Sequence, residues 1–144
     1  ALPGGRMDPG ETATETALRE TREEIGVSLA QEQVLGLLDD YPTRSGFVIT
    51  PVVIWGGHDL QLNPNEDEVA AAYTVPLREL EAPGVPTLQR IPESNRPVIS
   101  IHFPTLSTRI NAPTAALLYQ LREVAMRGFD TRVDHYDQAL FAWR

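Results

Sequence analysis

The first periodic stretch of the chain repeats its apolar residues with the spacing of an α-helix. Leu18 and Ile25 fall on one face, and the residues between them are mostly charged. Thr12 and Glu15 form the capping-box pattern, in which each residue satisfies a free backbone N–H of the first turn. The pattern predicts a helix over about 13–25.

A second periodic stretch lies near the end of the chain. Leu117, Leu121 and Val124 repeat at helical spacing, after a proline and before a glycine. This predicts a helix over about 113–127. The segment 129–144 that follows is rich in aromatic residues, and we expect it to pack back onto the domain.

Four shorter runs carry the β-branched and aromatic residues that favour strands. We expect Val34–Leu38 and Phe47–Trp55 to form an antiparallel pair, because a turn-rich connection joins them. Two further strands are predicted at Tyr73–Leu77 and Val98–Phe103. The proline-rich loop 81–97 between them is expected to lie outside the core.

Composition and charge narrow the class of protein. The chain has 144 residues, of which 42% are hydrophobic and 22% charged, so we expect a single folded domain over residues 1–144. The net charge is −8 and the basic residues are scattered, which argues against nucleic acid or an anionic membrane as a partner. The longest apolar run is about half of the roughly 20 residues that a membrane span needs. A cytoplasmic location is expected.

The chain has no cysteine, so any metal ligand must be an oxygen or a histidine. The three histidines are isolated and show no ligand spacing. By contrast, Glu20, Glu23 and Glu24 crowd one face of the first predicted helix, where like charges repel. One interpretation is a solvated face, supported by weak pairs of Arg19 with glutamates four residues away. The other is a divalent cation held by the three carboxylates.

The residues around this cluster favour the second interpretation. Gly5, Glu11, the pair Arg19-Glu20, the pair Glu23-Glu24 and Gly26 stand at fixed spacings that resemble the Nudix box. The chain is therefore similar to the Nudix hydrolase family. The resemblance implies an α/β fold, an α/β/α sandwich with a mixed β-sheet, whose N-terminal portion we expect to precede Ala1. It also implies hydrolysis of a nucleoside diphosphate linked to another group, with Mg²⁺ or Mn²⁺.

The resemblance also assigns roles to individual residues. Glu20, Glu23 and Glu24 are expected metal ligands, joined by the backbone carbonyl of Gly4. Arg19 is expected to orient a glutamate by hydrogen bonding. We count Glu23, Glu24 and Arg19 among the catalytic residues.

The family often takes its general base from a loop outside the box, and the segment "NEDEV" supplies two candidates. Glu68 is the first choice and Glu66 the second, because this acidic loop precedes a predicted strand that could bring it toward the metal. The alternative is a solvated acidic loop without a catalytic role.

Two segments point to a subgroup. "SGFVITPVV" and "NEDEVAAAYTVPLREL" resemble the Nudix group that splits coenzyme A into 3′,5′-ADP and 4′-phosphopantetheine. The sequence leaves two alternatives open, a pyrophosphatase for ADP-ribose or nucleoside triphosphates and a Nudix module that only binds a nucleotide. In each case the partner is a small-molecule nucleotide. A homodimer is the candidate assembly.

Overall fold

The computed structural model describes residues 1–143. Helix α1 is Ala13–Ile25 and helix α2 is Thr114–Leu121. The strands are β1 Val34–Leu37, β2 Tyr41–Pro42, β3 Val48–Ile49, β4 Val52–Ile54, β5 Thr87–Gln89, β6 Val98–Phe103 and β7 Thr108–Asn111. This mixture of helices and strands confirms the α/β class. None of the helices in this range is long and apolar enough to cross a membrane.

The chain divides into two compact units that interleave along the sequence. The first unit combines Ala1–Leu37 with Pro51–Thr74, and the second combines Leu38–Thr50 with the chain from Val75 onward. The single domain over residues 1–144 stays a prediction.

Helix α1 of the first unit begins and ends as its sequence predicts. The Thr12 hydroxyl accepts a hydrogen bond from the Glu15 N–H at 3.2 Å, and the Glu15 carboxylate accepts one from the Thr12 N–H at 2.8 Å. Gly26 ends the helix in the left-handed conformation, with φ +68°, and its N–H donates to the Arg22 carbonyl. Glycine adopts this conformation without steric cost, so α1 is fixed at both ends by local chemistry.

In the same unit, β1 pairs antiparallel with β4, and the register shifts between Val34 and Gly36. The Trp55 N–H donates to the Gln33 carbonyl at 2.8 Å and extends the pair by one step. The predicted antiparallel pairing is confirmed for this part of the two runs.

The second unit contains a short hairpin, β2–β3, and a three-stranded antiparallel sheet in the order β5-β6-β7. A single parallel bridge joins Val98 to Asp137. Strand β6 is central, and Ile99 and Ile101 on one of its faces are fully buried. They share a core with Ala115 and Ala116 of α2, whose small side chains leave room for close packing.

Two strand predictions need correction. Tyr73–Leu77 is not a strand: Tyr73 to Pro76 form no regular element and a 3₁₀ helix covers Leu77–Glu81. Pro76 has no N–H to donate to a sheet, and its fixed φ suits the position before a helical turn. The run Phe47–Trp55 is interrupted at Pro51 for the same reason, and it yields β3 and β4 instead of one strand.

The loop 81–97 lies outside the buried core, as expected, since none of its residues is buried. It contributes the edge strand β5, and Val85 packs against the buried cluster of the second unit. Strand β7 was not predicted, because its sequence "TRIN" is short and mostly polar. Helix α2 is shorter than its prediction, since a π-helical turn covers Arg122–Met126.

The segment after α2 packs back onto its unit, as expected. Val133 is fully buried, and the buried Asp137 accepts hydrogen bonds from Arg44 and Ser94. The Trp143 indole N–H donates to the Gln138 carbonyl at 2.8 Å. The prediction is confirmed for the described part of this segment, and residue 144 lies outside it.

Candidate functional site

Arg19 is the centre of a hydrogen-bond network on α1. Its Nε and Nη2 donate to the two carboxylate oxygens of Glu11 at 2.7 and 3.0 Å. Its Nη1 donates to Glu20 Oε1 at 3.0 Å and to Glu23 Oε2 at 3.1 Å, and Nη2 also reaches the Arg6 carbonyl. Paired guanidinium–carboxylate contacts fix both position and orientation. One arginine therefore holds two of the three clustered glutamates.

Glu11 connects the loop before α1 to the helix itself. Besides Arg19, its carboxylate accepts hydrogen bonds from the Asp8 N–H at 2.9 Å and from the Thr16 hydroxyl at 2.8 Å. Arg19, followed by the Asp8 N–H and the Thr16 hydroxyl, holds the pKa of Glu11 at about 2. Glu11 is thus ionised over the physiological pH range, and it places the loop against the helix.

Gly5 lies against the carboxylate of Glu20. A Cβ atom built on Gly5 would lie 2.1 Å from Glu20 Oε1 and 2.6 Å from Glu20 Cδ. Both distances are far below van der Waals contact. A glycine at position 5 therefore leaves the space that the Glu20 carboxylate occupies.

Burial and neighbouring negative charges both act on Glu24. Burial raises its pKa, and the charges of Glu20 and Glu68 raise it further, while a hydrogen bond from the Gly4 N–H lowers it. Gly4 thus contacts Glu24 through its backbone, and the charges of Glu20 and Glu68 both act on the Glu24 carboxylate. Glu68 is the member of the "NEDEV" loop whose charge acts on Glu24.

The segment 63–69 is attached to the last turn of α1 through its backbone. The Asn63 N–H donates to the Ile25 carbonyl at 2.8 Å, and the Asn65 N–H donates to the Glu24 carbonyl at 2.9 Å. Neither Asn63 nor Asn65 is among the predicted site residues. Asparagine at a turn is the only signal that the sequence offers for such a contact.

The carboxylate and carbonyl oxygens at this site are the ligands that a hard divalent cation prefers. Burial first, and then the charges of Glu20 and Glu68, raise the pKa of Glu24, so a cation near its carboxylate would favour the ionised form. Within residues 1–143, however, no three acidic or histidine side chains converge in a geometry that would hold a metal. Glu20 and Glu23 turn toward Arg19 instead. Because the Glu23 side chain is half exposed, water can replace its hydrogen bond with Arg19 if the carboxylate turns toward a cation.

The part of the chain that contains this site is similar to known proteins. The profile of the NUDIX domain family matches residues 1–99, a range that includes the network on α1 and the segment 63–69. Nudix hydrolase 3 of Caenorhabditis elegans is 49% identical over 83 residues, which cover 55% of this chain and 35% of that protein. The peroxisomal coenzyme A diphosphatase NUDT7 of Mus musculus is 40% identical over 99 residues, 68% of this chain and 42% of that protein.

A bacterial relative gives a similar match. The uncharacterized Nudix hydrolase NudL of Pectobacterium atrosepticum is 44% identical over 80 residues, 55% of this chain and 42% of that protein. The chain spans less than half the length of these curated relatives. The family match extends over more than half of the chain, and it coincides with the acidic helix and the loop attached to it. The chain belongs to the Nudix domain family.

Proposed function

We propose that this chain hydrolyses the diphosphate bond of a nucleoside diphosphate linked to another group, with Mg²⁺ or Mn²⁺ as its cofactor. The observation that carries the proposal is the electrostatic setting of Glu24. Its carboxylate is partly buried and lies in the field of Glu20 and Glu68, which raises its pKa. Carboxylates kept together against their repulsion are suited to a divalent cation and to a substrate with phosphate charges.

In this proposal Glu20, Glu23 and Glu24 hold the cation, together with the backbone carbonyl of Gly4. When bound, the cation would neutralise phosphate charge and polarise the phosphoryl group under attack. Arg19 acts as a positioning residue, because it donates to Glu20 and Glu23 and is itself fixed by Glu11. Release of Glu23 from Arg19 would let its carboxylate turn toward the cation.

Glu68 is the proposed general base. Its carboxylate would accept the proton of the water that attacks phosphorus, as a positioned carboxylate does in general base catalysis. Two observations support Glu68 over Glu66. Its charge acts on Glu24, and its backbone N–H donates to Asn65, which is attached to α1.

Coenzyme A or a derivative is the proposed substrate, with 3′,5′-ADP and 4′-phosphopantetheine as products. The segments "SGFVITPVV" and "NEDEVAAAYTVPLREL" support this choice. So does the 40% identity over 99 residues to the mouse protein named a coenzyme A diphosphatase. The homodimer stays a prediction. So does the cytoplasmic location, because that mouse relative is named as peroxisomal.

A panel of substrates tests the proposal. Purified protein is incubated with coenzyme A, ADP-ribose or a nucleoside triphosphate, in Mg²⁺ and in EDTA, and the products are separated by chromatography. We expect coenzyme A to be split at its diphosphate in Mg²⁺ and to stay intact in EDTA. A preference for ADP-ribose of tenfold or more in kcat/KM, about 1.4 kcal/mol in the transition state, would replace coenzyme A as the substrate. No hydrolysis of any substrate would refute the proposal.

A further inference from the structure

Gly26 has a neighbour that its role as a helix terminator does not explain. A Cβ atom at this position would lie 2.5 Å from the carbonyl oxygen of Asn63 and 2.8 Å from its Cβ atom. The oxygen belongs to the backbone, so it cannot move aside as a flexible side chain would. Any side chain at position 26 would therefore push the segment 63–69 away from α1.

Gly128, which follows the second helix, has nearly the same backbone conformation as Gly26 but no such neighbour. Its φ is +71°, nearly the +68° of Gly26, so both positions favour glycine for the same backbone reason. A Cβ atom on Gly128 would meet nothing within 4 Å. The contact with Asn63 is thus an additional property of Gly26.

Backbone hydrogen bonds continue from α1 to Glu68. The N–H groups of Asn63 and Asn65 donate to carbonyls of the last turn of α1, which have no partner inside the helix. The Asn65 carbonyl in turn accepts the N–H of Glu68 at 3.0 Å and that of Val69 at 2.8 Å. The Asn65 side chain accepts the Asp67 N–H at 3.2 Å. Asn65 therefore connects the helix to the turn that carries Glu68.

We propose that Gly26 and Asn65 are positioning residues: Gly26 leaves the space in which the segment 63–69 docks on α1, and Asn65 builds the turn that carries Glu68. This inference rests on the proposed function, in which Glu68 is the general base. Both residues act by fixing where the Glu68 carboxylate lies relative to the carboxylates of α1.

The test compares Gly26→Ala with Gly128→Ala, which places the same side chain on nearly the same backbone conformation without a clash. Amide hydrogen exchange of a peptide covering residues 63–69 reports docking independently of activity. We expect Gly26→Ala to accelerate this exchange at least tenfold, and Gly128→Ala to leave it unchanged. In the hydrolysis assay, Gly26→Ala should lower kcat at least tenfold with KM changed less than twofold, whereas Gly128→Ala should keep the activity of the unmodified protein.

Asn65→Ala provides a second route if Gly26→Ala does not fold. It removes the acceptor for the Asp67 N–H and should also lower kcat more than KM. Asn65→Ser should restore part of kcat, because a serine hydroxyl supports the same kind of turn more weakly. In a Glu68→Gln background, either substitution should cause little further loss, since the group it positions is already removed.

Equal exchange of residues 63–69 in Gly26→Ala and Gly128→Ala would overturn the docking role. A kcat for Asn65→Ala equal to that of the unmodified protein would overturn the positioning role. If the unmodified protein hydrolyses no substrate, or if Glu68→Gln keeps full activity, the proposed function or its choice of base fails. The exchange comparison still decides whether Gly26 holds the segment on α1.

Discussion

Substitution of Gly5 by alanine tests whether the position of the Glu20 carboxylate matters for function. The new Cβ atom would lie 2.1 Å from Glu20 Oε1. Ordinary carbon–oxygen contact begins at about 3.4 Å, so the carboxylate must move by about 1 Å or more. The φ of Gly5 is not in the left-handed region, and the clashing atom ends a flexible side chain. We therefore expect the fold to be retained, with a change in the free energy of unfolding below about 1 kcal/mol.

The effect on activity should be much larger than the effect on folding. A displacement of about 1 Å in a reacting group can cost about 10²-fold in rate, or about 2.7 kcal/mol. We expect Gly5→Ala to lower kcat/KM by about this factor in saturating Mg²⁺. The assay is hydrolysis of a diphosphate substrate, with circular dichroism and urea denaturation as controls for folding.

A double-mutant cycle with Glu20→Ala identifies the cause of the loss. If Gly5→Ala acts by displacing Glu20, it should have no effect on Mn²⁺ affinity once that carboxylate is absent. Mn²⁺ affinity is the better readout here, because it stays measurable when turnover is lost. The reasoning is refuted if Gly5→Ala keeps the original kcat/KM, or if it weakens Mn²⁺ binding equally with and without Glu20.

Three further predictions concern stability. The pKa of the buried Asp137 is lowered from 3.8 to about 2, chiefly by Arg44. The ionised Asp137 carboxylate stabilises the folded state above pH 4, and about 2 kcal/mol of the free energy of unfolding should be lost as the pH falls to 2. Asp137→Asn should not show this loss in urea denaturation, and an equal loss in the variant would contradict the prediction. Glu24→Gln should stabilise the metal-free protein at pH 7, because the raised pKa of Glu24 makes its ionised form unfavourable in the folded state. For the same reason, the unmodified protein should become more stable as the pH falls through that pKa. A variant less stable than the unmodified protein would contradict this prediction. Thr12→Ala should cost about 1 kcal/mol through loss of the capping box, measured by thermal unfolding, and an unchanged melting temperature would argue against the cap.

Local signals explain which elements the sequence could predict. The bounds of α1 follow from Thr12, Glu15 and Gly26, whose effects act within one or two turns. Strand β6 follows from its continuous apolar run, which is typical of a buried strand. The strand predictions were wrong where a proline interrupts an apolar run that otherwise favours a strand, at Pro51 and at Pro76.

The candidate site was predictable in its residue types and less so in its contacts. The spacing of the box assigned Glu20, Glu23 and Glu24 to one helix face. The hydrogen bonds from Asn63 and Asn65 to α1 come from the backbone, and side-chain patterns carry little information about backbone contacts between distant segments. The same holds for Gly26, whose second role depends on a neighbour 37 positions away in the chain, at Asn63.

The central claim is that the acidic face of α1 is the metal site. The most direct test is a Mn²⁺ titration in which binding is measured by calorimetry and the rate of hydrolysis is measured on the same samples. The comparison uses the unmodified protein, Glu23→Gln and, as a matched control, Glu32→Gln, which removes one exposed carboxylate elsewhere in the first unit. We predict that the rate of hydrolysis rises with the occupancy of one Mn²⁺ site. The Mn²⁺ affinity of this site should be at least tenfold weaker in Glu23→Gln and unchanged in Glu32→Gln. Hydrolysis that proceeds in EDTA, or equal Mn²⁺ affinity in all three proteins, would contradict the assignment of the acidic face of α1 as the metal site.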